Sequence, residues 1–273
     1  HTHTTDHVYF DKDDGFAGPG KFHHHVLATV SGAWWSGPFD ERGIAVSDQR
    51  DGTPNGYHIL EVDSTDVAVR FKGAGKPADY QMRIVFDVAH HQLNVNGIRD
   101  FKAGELLDGR ISQDHLNAAA IIVNLFDGGP NSKVRYRVED GEYRPLKRVL
   151  RKDPYMLEQY ARHRSSKKTW VEATLSTHLF EADLDANLPP GVHAITVQAE
   201  DEFGRLHHGH TVLEIVPGFE VRRRVTNTHK VATEIGGVYA GELYRPLAAN
   251  PHRRTDTAFP SLGYYVSEGV GCI

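Results

Sequence analysis

The chain has 273 residues and one cysteine, Cys272, which stands next to the C-terminus and cannot close an internal disulfide. It also has no long apolar run. The longest, Ala118–Val123, is far too short to span a bilayer as a helix, so no membrane span is expected. Excess positive charge is missing as well: Lys+Arg 31 against Asp+Glu 36 leaves a net charge of −5, which removes any general electrostatic case for nucleic acid. No initiator Met and no signal-peptide pattern open the chain, which reads as a missing upstream segment. No repeat of fixed period and no low-complexity tract occurs. With 39% hydrophobic and 25% charged residues, the composition is that of a folded globular protein with a sizeable core.

Histidine is what the chain has in abundance, 18 in all. His1-Thr2-His3 opens the sequence, and two imidazoles one residue apart can point the same way from an extended or tightly turning backbone. Neutral imidazole is the commonest side-chain metal ligand. The alternative is a frayed histidine-rich end. His23-His24-His25 reads as a solvated turn leading into a strand; on a strand, His23 and His25 would share one face and His24 the other. His207-His208-Gly209-His210 reads as an exposed turn in a late hairpin, and Arg222-Arg223-Arg224 as a solvated face.

Along the chain, residues 1–25 are polar and loop-like, and Val26–Val30 has strand composition. Residues 36–56 are rich in Gly, Pro, Asp and Asn and read as one long ordered loop. Tyr57–Val62 and Val67–Phe71 predict a hairpin turning at Asp63–Asp66, and Gly73–Pro77 breaks the pattern, placing a boundary near residue 80. Beyond it, short strands separated by turns argue a β-sandwich: Gln81–Val88, a core strand Ala119–Phe126, a hairpin Lys133–Val138 with Glu142–Leu146, and a closing hairpin Gly191–Asp201 with Thr211–Val216. One helix interrupts them, with Asp153 as N-cap and Pro154 at the first helical position. Residues 218–273 show no sustained period and read as an irregular extension.

Several segments together resemble one family: His1-Thr2-His3, the strand Val26–Val30, Trp34-Trp35-Ser36-Gly37, and Asp51-Gly52-Thr53-Pro54-Asn55-Gly56-Tyr57. They look like the calcineurin-like metallophosphoesterases that carry an appended C-terminal β-domain, and Asp51–Tyr57 matches that family's segment residue for residue. The resemblance implies an α+β, mostly β chain. Residues 1–80 would be the C-terminal remnant of the catalytic α/β sandwich, and residues 81–217 an immunoglobulin-like β-sandwich. It implies His1 and His3 as metal ligands, the motif's glycine falling before residue 1, in a site for two divalent or trivalent ions such as Fe, Mn or Zn. The substrate would be a phosphate mono- or diester.

Trp34, Trp35 and Tyr57 are the candidate substrate-facing residues. On an extended chain one tryptophan would enter the core while the other lines a cleft, or both would be packing residues. Asp51–Tyr57 reads as turn chemistry that shapes its loop. The family's other ligand motifs are not legible here, so the chain alone is expected to be inactive, with the segment before residue 80 poorly ordered or poorly soluble. Oligomeric state cannot be read from the sequence, and an exported or periplasmic location is implied by the resemblance alone. The competing reading is a non-catalytic β-sandwich that binds a glycan, a surface polymer or a partner protein.

Overall fold

A computed structural model describes residues 2–39, 43–64, 66–87 and 109–217, with two short strands further on, Tyr244–Pro246 and Tyr265–Ser267, which pair antiparallel. Residues 1–218 form one compact unit and residues 219–273 a second. The chain is mostly β.

Its centre is a pair of sheets. One has the order β10-β11-β7-β5, built from Lys147–Lys152, Leu175–Asp183, Ala120–Leu125 and Met82–Asp87. The other has the order β6-β13-β12-β8-β9, built from Arg110–Ser112, Leu206–Val216, Gly191–Glu200, Lys133–Val138 and Arg144–Pro145. Neighbours are antiparallel except β6, which runs parallel to β13. Period-two alternation makes the core. Val134 and Tyr136 on β8, Ile195 and Val197 on β12, and Leu213 and Ile215 on β13 point inward, against Ile121, Val123 and Leu125 of β7 and Phe180 of β11. Each such side chain contributes about 1.5–3 kcal/mol on burial, so this core dominates the stability of the unit.

β7 is buried along its whole length. Its outer face carries Ile122, which packs with Val85 and Leu179, and Asn124. Against that face stand Tyr155, at the start of helix α1 (Pro154–Arg162), and the loop that carries Asp51. The helix starts as the sequence predicts: Asp153 is extended and its carboxylate accepts from Tyr155 N at 2.9 Å, while Pro154 needs no partner for its missing N–H.

Two small hairpins precede the sandwich. β1 (Asp6–Phe10) pairs with β2 (Phe22–Val26), and β3 (Gly56–Asp63) with β4 (Asp66–Gly73). The second was expected and the first was not. Residues 1–25 read as loop in the sequence because the inward positions of these two strands are histidines, which periodicity of apolar residues does not count. The strand expected over Val26–Val30 keeps only Val26; the chain then enters a turn that carries the two tryptophans. Among the described residues, the strands before residue 80 pair as these two hairpins. His207, His208, Gly209 and His210 lie within β13, not in a turn, because the return strand begins at Leu206. Apart from the two strands named above, residues 218–273, Arg222–Arg224 included, lie outside the described residues.

Candidate functional site

Of the sequence-predicted ligands, His1 lies outside the described residues. His3 is half-buried and takes a left-handed backbone, φ +55°. Its Nδ1 donates to the carbonyl of Gly32, and its ring meets Trp34 edge-on with centroids 4.5 Å apart. An imidazole that spends Nδ1–H on a backbone carbonyl has its tautomer fixed and leaves Nε2 as a lone pair, the usual setting of a metal-bound histidine. His3 therefore fits one ligand position. Among the described residues, no group of three or more ligand side chains includes it.

The tryptophan segment positions that carbonyl. Ala33 N donates to Ser47 O at 3.3 Å, Trp35 N to Ser47 Oγ at 2.9 Å, and Gly37 N to Val46 O at 3.0 Å, so the turn is fastened to residues 46–47. Trp34 and Trp35 have φ +61° and +54°. The expectation of an extended pair, one indole in the core, is corrected: both sit in a left-handed turn and remain 61% and 52% exposed. Trp34 also meets Trp170, another exposed indole, with centroids 6.0 Å apart. Trp170 was not singled out in the sequence, since nothing local connects it to residue 34. Tyr57 lies on β3 and faces outward, on the side of the strand opposite His58.

Asp51 does more than shape a loop. It is fully buried, and its Oδ2 accepts from Thr5 N at 2.6 Å and lies 3.1 Å from His178 Nε2; its Oδ1 accepts from Thr53 N at 3.0 Å. His178 on β11 meets Asn124 Oδ1 at 2.8 Å, and Asn124 Nδ2 donates to Asp51 O and to Asp153 Oδ2 at 3.2 and 2.6 Å. Arg83 on β5 donates to Gly52 O at 2.7 Å and lies over the Tyr155 ring. Burial pushes the Asp48 and Asp153 carboxyls up, against the pull of Arg83 beside them. This polar network joins the loop that follows the tryptophans to the outer face of the sandwich.

A second group of histidines converges elsewhere. His25 Nε2 and His58 Nε2 lie 2.8 and 3.0 Å from Asp127 Oδ1, and His7 Nε2 lies 3.4 Å from the same oxygen. His7 comes from β1, His25 from β2, His58 from β3, and Asp127 from the turn after β7. All are buried or nearly so. His7 stacks on His25 with centroids 3.9 Å apart, and His7 Nδ1 meets His23 Nε2 at 2.9 Å. His23 stacks on Tyr9, 4.4 Å away, whose hydroxyl donates to Glu202 Oε2 at 2.8 Å; burial and that carboxylate push Tyr9 up to about 12. Burial holds His25 and His23 below the usual imidazole range. For Asp127 burial alone would raise the carboxyl, but the three surrounding imidazoles outweigh it and hold it well below the usual carboxylate range. Sequence reading took His23–His25 for a solvated turn. The structure places them on β2, with His23 and His25 on the inward face and His24 across from it. His58 and Asp127 carried no sequence signal, being single residues far apart in the chain.

A family model described as the C terminal of calcineurin-like phosphoesterase matches residues 24–207. The chain belongs to that family. No curated protein and no solved structure matches it. The matched span runs across residue 80 and includes Trp34, Trp35, Trp170, Asp51, His25, His58 and Asp127; His3 and His7 precede it. Membership makes this a phosphoesterase-related protein, and metal ions belong to the family's intact enzymes. No helix among the described residues is long and apolar enough to cross a membrane.

Proposed function

We propose that this chain is the C-terminal part of a dinuclear-metal phosphoesterase that hydrolyses phosphate mono- or diesters, and that His3 is one of the metal ligands. The observation that carries the reading is the Nδ1–H bond from His3 to Gly32 O, which leaves Nε2 presented beside an exposed aromatic ledge. When bound, the two ions supply an activated water and neutralise charge on the phosphate oxygens. This chain's own part is orientation. Gly32 O fixes the His3 ring, Trp34 packs against it, and Trp34, Trp35 and Trp170 offer flat apolar faces to the organic part of a phosphoester. Residues 1–80 close the catalytic side, and residues 81–217 form the appended sandwich that holds them. The strand order, with β5 in one sheet and β6 parallel to the last strand of the other, supports reading that sandwich as immunoglobulin-like.

The exposed indoles equally suit a sugar face, which keeps glycan binding as the second reading. The test uses the chain both alone and joined in frame to its upstream coding sequence, assayed on aryl phosphate mono- and diesters with Mn, Fe or Zn supplied. The chain alone should be inactive and the longer protein active, with His3→Ala lowering its turnover at least about 100-fold. An inert longer protein, or full activity in His3→Ala, overturns the assignment. Retention on immobilised glycans by the chain alone, lost in Trp34→Ala, would favour the second reading.

A further inference from the structure

We propose that His7, His25, His58 and Asp127 form a second, mononuclear metal site that takes one divalent first-row ion of the zinc class and fastens the two N-terminal hairpins to the sandwich. The site is separate from the one to which His3 belongs and needs no residue from outside the chain.

The first argument is valence. A carboxylate oxygen has two in-plane lone pairs, and Asp127 Oδ1 already faces two imidazole nitrogens, those of His25 and His58, at hydrogen-bond distance. A third, His7 Nε2, is directed at the same oxygen from 3.4 Å, is fully buried, and has no hydrogen-bond partner. Crowding three nitrogens on one oxygen is poor hydrogen bonding, and a buried unpartnered polar atom costs about 1–3 kcal/mol. An ion placed among them gives each nitrogen and the oxygen a bond.

Spacing is the second argument. Ligands about 2.0–2.1 Å from a tetrahedral ion lie about 3.3 Å from each other. The three nitrogens stand 2.8, 3.0 and 3.4 Å from Asp127 Oδ1, and the ligand atoms of His7, His25 and Asp127 all lie within 4.8 Å of one another; His58 reaches the group through Asp127 and completes it by moving toward the other two imidazoles. The donor set supports the same conclusion. Three imidazoles and one carboxylate suit zinc and its neighbours rather than magnesium or calcium, which prefer oxygen. Four protein ligands in a buried cluster make a closed site, and closed sites are structural.

The surroundings are arranged around His7. With Nε2 on the ion, His7 carries its proton on Nδ1, which can donate to His23 Nε2 at 2.9 Å; Tyr9 stacked on His23 and Glu202 behind Tyr9 hold that partner in place. A carboxylate beyond the histidine chain is a common support for metal-bound imidazole. Gly129 allows the approach: a Cβ there would stand 2.8 Å from both His7 Cβ and Glu202 Oε1.

The test uses the full chain, stripped with a chelator and titrated with Zn2+ or Co2+ alone. The expected result is tight uptake of a single ion that His3→Ala and His24→Ala leave intact, that His58→Ala and Asp127→Ala abolish, and that His23→Ala weakens by about 10–100-fold. Bound Zn2+ should show three imidazoles and one carboxylate oxygen by X-ray absorption on the unaltered chain, which keeps the test decisive should a ligand variant fail to fold. Uptake removed by His3→Ala but untouched by His58→Ala, a bound ion with fewer than three imidazoles, or no uptake at all would overturn the proposal.

Discussion

Gly32 shows how one residue carries a functional geometry. Its φ is +46°, and a Cβ there would fall 1.3 Å from the carbonyl oxygen of Ser47, a position no side chain can share. The same residue's carbonyl accepts from His3 Nδ1 and, at 3.1 Å, from Thr29 Oγ1. The sequence displays this glycine beside the two tryptophans, but why it is needed depends on a segment fifteen positions later folding back on it. Gly32→Ala should lower stability by about 2–4 kcal/mol, because backbone must move as well as adopt a strained conformation. Gly75→Ala is the comparison: φ is +67° but nothing lies within 4 Å, so only about 1 kcal/mol of backbone strain is expected. Urea unfolding of both variants measures the difference. Equal losses would mean that the Ser47 contact does not constrain the turn.

At the scale of elements, the hairpin β12–β13 has its own anchor. Asp201 Oδ1 accepts from Phe203 N and Arg205 N, each at 2.9 Å, and its Oδ2 accepts from Arg205 Nε at 2.9 Å and lies 3.0 Å from His207 Nε2. Arg205 in turn donates to Val69 O on β4, tying the closing turn of the sandwich to the β3–β4 hairpin. Burial works to raise the Asp201 carboxyl, but His207, the Arg205 and Phe203 amides and the Arg205 charge prevail and hold it below its ordinary 3.8. A carboxyl lowered by folding stabilises the fold above its unfolded pKa, and that contribution is lost as pH falls through the folded value. Asp201→Asn should therefore destabilise at neutral pH and flatten the loss of stability below about pH 4. Urea midpoints across that range check it; an acid limb parallel to the unaltered protein's would show that Asp201 does not titrate with folding. The strand Gly191–Glu200, the Asp201–Gly204 turn and the second half of β13 from Thr211 are legible in the sequence, since alternation through Ile195, Val197 and Ala199 and an Asp-x-x-Gly turn are local signals; the first half of β13 is not, because His207–His210 carry no apolar period. The β1–β2 hairpin is not legible, because its inward residues are His7, His23 and His25, whose burial depends on Asp127 a hundred positions away.

At the scale of the whole unit, two kinds of cohesion divide the chain. The sandwich rests on a continuous apolar core, whereas the described residues before 80 bury few apolar side chains: Val69 and Phe71 on β4, Ala33 in the tryptophan turn, and Pro38 and Pro54. What holds that first part down is polar and long-range: Asp51 with Thr5 and His178, His25 and His58 with Asp127, Arg205 with Val69 O. Sequence reading finds Asp51 within a recognisable segment yet assigns it turn chemistry, because its partners lie on β11 and near the chain start. Asp51→Asn keeps the size of the side chain but sets an amide among donors, leaving at least one buried N–H unpartnered at about 1–3 kcal/mol. The loss should fall on one part of the unit only. Amide exchange should quicken through β1 to β4 while β7, β8 and β12 keep the protection of the unaltered chain. If β7 and β12 open as early as β3 and β4 in this variant, the two parts share one cooperative core, and Asp51 supports the sandwich itself rather than the attachment of the segment that carries His3.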